Sequence, residues 1–238
     1  MTMPTLVGGL DGCRTGWVLA TAAAANDGRV VAGTASVRVI ATFGDAVALV
    51  LDGTLAALGV DMPIGLPDAG PRAADRAARA RLGPRRSSVF PTPCRAVLGA
   101  ADYPDALARS RAASGKGLSK QAFNLLAKIA EVDAAMTSAL QDRIFECHPE
   151  TAFAHLAGQP ITTTKRQADG RIERHALLRP ELGDTVGLAT PPPSGCQSDD
   201  VLDALVVTVI AGRFVAGRVE HLGDGAVDAR GLRMEIVV

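Results

Sequence analysis

The chain has 238 residues, 47% hydrophobic and 21% charged, which suits one ordinary globular domain and excludes a disordered or fibrous protein. Its 25 Lys and Arg residues balance 25 Asp and Glu, and only 3% of residues are aromatic, so neither bulk positive charge nor an aromatic stacking platform is available for coating nucleic acid. No apolar run reaches the roughly 18 residues that span a bilayer, and Met1 to Gly9 has no basic residue ahead of its apolar stretch, so neither a membrane partner nor a secretory signal is expected.

Thr5 to Leu10 is a short apolar run that ends at Asp11, and Trp17 to Thr21 is a second, with Gly12 and Gly16 bracketing a hairpin connection between them. The turn signal Asn26-Asp27-Gly28 precedes a third strand rich in Val and Thr, Arg29 to Ile40. Phe43, Val47, Val50, Leu51, Leu55 and Leu58 then recur at the spacing of an amphipathic helix. Gly59 to Asp61 starts a fourth strand, which Pro63 stops. Residues 66–118 are rich in proline, glycine and arginine, with short helices predicted over Arg72–Arg81 and Tyr103–Ser114. Ser119 reads as the N-cap of a long helix to about Gln141, so residues 66–142 form a basic helical insert between strands four and five. A fifth strand is read over Arg143–His148, and residues 157–197, polar and broken by proline, as a mobile loop. Ser198 then caps a helix with Leu202, Leu205, Val206, Val209, Ile210 and Phe214 at its apolar positions, and Arg233 to Val238 closes with a strand. We therefore expect a single α/β domain over residues 1–238, with a mixed five-stranded sheet flanked by helices. Cys13, Cys94, Cys147 and Cys196 form no CxxC pair, which fits free thiols in a reducing cytoplasm better than disulfides or structural zinc.

The acids are the informative residues. Asp11 ends the first strand, Asp61 ends the fourth and Glu146 lies in the fifth, while Asp200 and Asp203 stand three apart at the start of the last helix, on one face. Chemistry in α/β sheets gathers beyond the carboxyl ends of the strands. Acids converging there repel one another unless a cation neutralises them, and a set of oxygen ligands favours Mg²⁺ or Mn²⁺ over zinc. Two such ions would activate water and stabilise the leaving oxygen of a phosphodiester. Taken singly, each acid has a plainer use, bonding turn amides or a helix N-terminus.

These residues carry a resemblance. Gly9-Leu-Asp-Gly-Cys-Arg-Thr-Gly-Trp17 resembles the Asp-bearing first strand of the RNase H-like superfamily, and Asp200-Val-Leu-Asp203-Ala-Leu resembles the paired-aspartate final helix of its RuvC-type resolvase branch. The whole chain is similar to a family of predicted RNase H-like nucleases, through Val60-Asp-Met-Pro-Ile-Gly-Leu-Pro67, Arg85-Arg-Ser-Ser-Val-Phe-Pro-Thr-Pro93, Gly115-Lys-Gly-Leu-Ser-Lys-Gln121, Lys128-Ile-Ala-Glu-Val-Asp133 and Phe145-Glu-Cys-His-Pro-Glu150. The resemblance implies an RNase H-like sheet and a metal-dependent nuclease, with Asp11, Asp61, Asp200 and Asp203 as metal ligands. Asp61 departs from the resolvase pattern, where glutamate is usual, so an ion would sit closer to the backbone. Glu146 lies outside the four-acid scheme, as an extra ligand or as a satisfied structural acid.

Charge is uneven along the insert: seven arginines and one acid lie between Arg72 and Arg95, and five basic residues and no acid between Arg109 and Lys128. Arg85, Arg86, Ser87, Ser88, Lys116 and Lys120 are thus candidate contacts for the phosphates of a nucleic acid or nucleotide. For any single arginine among them, a solvated basic surface that pairs with acids elsewhere is the better reading. No GxSxG elbow or phosphate loop is present. Two other readings stay open. One is a nucleotide-binding phosphotransferase of the actin and sugar-kinase branch, for which a homodimer would have to supply both halves; the other is a non-catalytic binding module.

Overall fold

A computed structural model of the chain describes residues 5–238, so the first four residues of the stretch read for a secretory signal lie outside it. In chain order the elements are β1 (Thr5–Cys13), β2 (Gly16–Ala24), β3 (Ser36–Ile40), α1 (Phe43–Leu51), β4 (Ala57–Val60), α2 (Ala73–Leu82), α3 (Tyr103–Ser114), α4 (Lys120–Ala135), β5 (Ile144–Glu146), α5 (Pro149–Ala157), α6 (Ala168–Leu182), α7 (Val186–Ala189), α8 (Ser198–Val215), β6 (His221–Leu222) and β7 (Ile236–Val237). The first five strands form one mixed sheet in the order β3-β2-β1-β4-β5. β2 runs antiparallel to both β1 and β3, whereas β1, β4 and β5 are parallel. The α/β architecture and the five-stranded sheet agree with the sequence reading.

Alternation along the strands decides what each face carries. Leu10, Leu19, Leu58, Val60 and Ile144 point to one face, where Phe43, Val47 and Val50 of α1 and Ile129 and Val132 of α4 cover them. Val7, Val18, Ala20, Ala57 and Phe145 point to the other and pack on α8. Residues 201–212 of α8 are buried without interruption, because the sheet lies on one side of the helix and α5, α6 and α7 on the other. A helix apolar on every side is what such a sandwiched position requires.

Two glycines let α8 sit unusually close to the sheet. Gly9 of β1 and Gly59 of β4 are register partners. A Cβ on Gly9 would lie 2.2 Å from the Ala204 carbonyl oxygen and 2.4 Å from the Thr208 nitrogen, and one on Gly59 would lie 2.5 Å from Val207. Gly9→Ala should therefore cost about 3 kcal/mol, the upper range for overpacking, since backbone rather than a flexible side chain must move. Urea unfolding checks this, and a loss below about 1 kcal/mol would mean that α8 can shift freely.

Several boundaries differ from expectation. Only Ser36–Ile40 pairs as β3, and the residues before it reach β2 through an Ala24–Val30 bridge and a bond from Ala23 N–H to the Thr34 hydroxyl. α1 stops at Leu51, where Asp52 caps it and Gly53 adopts φ +84°, so Leu55 and Leu58 belong to the connection and to β4. α4 ends at Ala135 and is followed by a 3₁₀ turn, Ala139–Asp142. The expected loop 157–197 contains α6 and α7 instead. The α6 stripe of buried residues is Gly170, Arg174, Leu178 and Leu182, so an arginine stands where an apolar residue would have announced a helix. The last strand pairs with β6 in a separate two-stranded sheet. No helix among the described residues is long and apolar enough to cross a membrane.

Candidate metal centre

The strand period that places Gly9 and Gly59 against α8 also places Asp11 and Asp61, two residues on, toward the same face at the carboxyl ends of β1 and β4. Asp203 precedes Ala204, the residue whose carbonyl lies against Gly9, so α8 brings its carboxylate to the same point. One oxygen from each of Asp11, Asp61 and Asp203 lies within 4.8 Å of the other two. Asp11 and Asp203 are buried, and Asp61 is half-buried.

The electrostatics of this trio are strained. Burial, then the charges of Asp61 and Asp203, push the Asp11 carboxyl well above the usual carboxylate range, with Lys165 opposing. Burial and the Asp203 charge do the same to Asp61. Burial raises Asp203 to about 6 even though Lys165 pulls the other way. Lys165, in the segment between α5 and α6, pairs its ammonium with Asp203 Oδ2. Asp203 Oδ1 is buried and has no hydrogen-bond partner among the described residues. Three oxygen-only side chains, one with an orphaned buried oxygen, fit a hard divalent cation of the Mg²⁺ or Mn²⁺ type.

The acids lie in a cavity of about 370 Å³ whose walls also carry Arg85, Ser88, Phe90, Gln121, Leu125, His148, Glu150, Thr164, Lys165 and Arg166. His148 Nε2 lies 3.3 Å from the Ser88 carbonyl oxygen, which assigns the proton to Nε2 and leaves Nδ1 as a buried acceptor without a partner. Burial lowers the pKa of this imidazole and keeps it neutral. Glu150 receives both of its 2.8 Å bonds from Arg174 Nη2, so its charge is compensated from behind the wall. The segment bearing Lys165 is seated on α6, where a Cβ at Gly170 would lie 2.0 Å from the Thr164 carbonyl oxygen.

Two expected ligands are placed elsewhere. Asp200 is not part of the trio: its Oδ2 accepts the Gln197 N–H at 2.8 Å and closes a capping box at the start of α8. Glu146 faces away, because it pairs in register with Val60 and so shares the face opposite Asp61. Its oxygens accept 2.6 and 2.7 Å bonds from Arg72 and a 2.8 Å bond from Ile64 N–H, the pattern of a structural acid. Of the six basic and hydroxyl candidates, Arg85 and Ser88 line the cavity. Arg86 and Ser87 are exposed on the 3₁₀ turn Gly83–Ser88. Lys116 lines a separate, smaller pocket beside Cys94, and the Lys120 ammonium sits 5.1 Å from the Tyr103 ring centroid. The sequence reading missed Lys165 and Arg166. The only signal for them was a Lys-Arg pair after three threonines, directly before a polar helix.

Comparison with known proteins adds a family and no activity. A family model described as "Protein of unknown function (DUF429)" matches residues 9–227, a span that holds all three acids. No curated protein and no solved structure matches the chain.

Proposed function

The chain belongs to the DUF429 family, and we propose that it is a metal-dependent phosphodiesterase of RNase H-like fold that hydrolyses nucleic acid. The observation that carries this reading is the meeting of Asp11, Asp61 and Asp203 at the carboxyl ends of β1 and β4, in one cavity with Lys165, Arg166 and Arg85. The sheet order β3-β2-β1-β4-β5, with the first acid on the central strand β1, supports the RNase H-like assignment. A bound Mg²⁺ or Mn²⁺ ion would lower the pKa of water and withdraw charge from the phosphate.

The protein's own groups supply the rest. Asp11, Asp61 and Asp203 would hold the cation, and their negative field would repel an unaccompanied phosphate. The cationic side of the cavity, Arg85, Lys165 and Arg166, opposes that repulsion and orients a phosphodiester over the acids. His148, whose Nε2–H is directed at the Ser88 carbonyl, adds a neutral side chain to the same wall. Because Asp200 is occupied as a cap, three of the four expected carboxylates meet at this point.

The test is cleavage of labelled single-stranded and duplex DNA and RNA by wild type and Asp11→Asn, with Mn²⁺ or with chelator. Cleavage should require Mn²⁺ and disappear in the variant. A Mn²⁺-loaded wild type that cuts none of the four substrates would overturn the nuclease reading, and stabilisation by nucleotide without cleavage would favour the phosphotransferase.

A further inference from the structure

Lys165 separates this site from a simple group of acids. Among the described residues its ammonium is the only cation ion-paired to any of the three carboxylates. It also lies within electrostatic reach of Asp11 and Asp61. Building on the metal-centre reading above, we propose that Lys165 is the site's resident cation: it compensates the acids while no divalent ion is bound, surrenders Asp203 to the incoming ion, and then meets the substrate's phosphate.

Three observations lead to this exchange. Three carboxylates packed within 4.8 Å need a counter-charge to remain ionised, and one ammonium meets only part of that need. The Asp203 oxygen turned from Lys165, Oδ1, is buried and unpartnered, so the present pairing leaves ligating capacity unused. A double charge that engages all three acids is therefore a stronger partner than the lysine. The lysine is also free to leave, since its side chain is 30% exposed at the cavity wall while its backbone segment is fixed on α6. Thr163 and Thr164 hold that segment through bonds to Glu173, Arg174 and Gln167, so the exchange needs rotation of a side chain and no movement of the chain.

Displacement leaves the ammonium beside Arg166 and Arg85, at the wall that an anionic phosphate would approach. Cation and phosphate then bind in sequence, because the lysine becomes available to the phosphate only after the ion has taken Asp203. By linkage, a lysine that must be displaced weakens the binding of the ion alone.

The experiment is a calorimetric titration of chelator-treated protein with Mn²⁺ at a single pH, comparing wild type, Lys165→Met, Lys165→Gln and Lys165→Arg. Melting temperature with and without Mn²⁺ is the second readout. Removing the competing charge should tighten Mn²⁺ binding about tenfold in Lys165→Met and Lys165→Gln. Both variants should also gain more in melting temperature from Mn²⁺ than wild type does, while Lys165→Arg keeps wild-type affinity. If wild type binds Mn²⁺ and neither neutral variant binds it more tightly, Lys165 is a fixed structural partner and the proposal fails alone. If no form binds Mn²⁺, it fails together with the metal reading. The glutamine variant keeps a polar amide at this position, so the comparison survives if the methionine variant does not fold.

Discussion

Asp11→Asn is expected to make the metal-free protein more stable at pH 8 while reducing its affinity for Mn²⁺ by more than about 100-fold, the upper end of what outer-shell partners alone account for. The first half follows from linkage. Burial and the charges of Asp61 and Asp203 hold the Asp11 pKa above its value in the unfolded chain. The folded protein therefore binds that proton more tightly, and stability falls as pH rises from the unfolded pKa through the folded one. Above the folded pKa the whole penalty is present. Asparagine removes it, so the gain should grow as pH rises toward 8 and vanish near pH 4, about where an unfolded aspartate is protonated. Asp203→Asn should share the loss of Mn²⁺ and show a smaller gain in stability, because Lys165 already offsets part of the burial penalty on that carboxylate. Metal binding must also expel protons from acids that hold them tightly, so wild-type affinity should be weaker at pH 6 than at pH 8. Thermal melts of the two variants from pH 4 to 8, with Mn²⁺ titrations, decide the matter. Unchanged Mn²⁺ affinity in Asp11→Asn would remove Asp11 from the site, and lower stability at pH 8 would show that its carboxylate is well compensated.

The residues in this prediction were legible in the sequence to different degrees, for reasons that differ in kind. Asp11 and Asp61 could be read because each ends a short apolar run, and a strand end is local information. That they face the same helix depends on Gly9 and Gly59 being register partners, and pairing in a parallel sheet is not local. Asp200 and Asp203 were recognisable as a pair, but which of them faces the site depends on where α8 begins. With Ser198 as the cap, Asp200 would be free; with Gln197 as the cap, Asp200 falls at the third helical position and closes the capping box. One residue of helix start thus turns a ligand into a cap. Glu146 shows the same sensitivity in a strand, where a single step of alternation separates the metal face from the structural face. Lys165 was hidden because α6 was hidden. A helix held by Arg174 buried against Glu150, with Pro180 inside it, gives no apolar period to read.

The structural role of Glu146 leads to a large effect on stability. Arg72 is almost completely buried and donates to both oxygens of Glu146, to Asp75 Oδ1 and to the carbonyl oxygens of Ile64 and Gly65. Asp75 in turn accepts from the Thr92 N–H and hydroxyl. One guanidinium therefore joins the end of β5, the first turn of α2 and the segment that leaves β4 just after Asp61. Replacing it with methionine fills similar space but strands two buried carboxylates, a change that typically costs about 3–5 kcal/mol. Arg72→Met should lower the urea midpoint accordingly, and adding Glu146→Gln and Asp75→Asn should recover part of the loss, since the stranded charges rather than the missing contacts dominate it. Glu146→Gln alone should leave Mn²⁺ affinity at the wild-type level, because Glu146 faces away from Asp11 and Asp61. A loss of Mn²⁺ binding in that variant comparable with Asp11→Asn would return Glu146 to the metal centre. An Arg72→Met protein within about 1 kcal/mol of wild type would reduce the network to the weight of a surface ion pair.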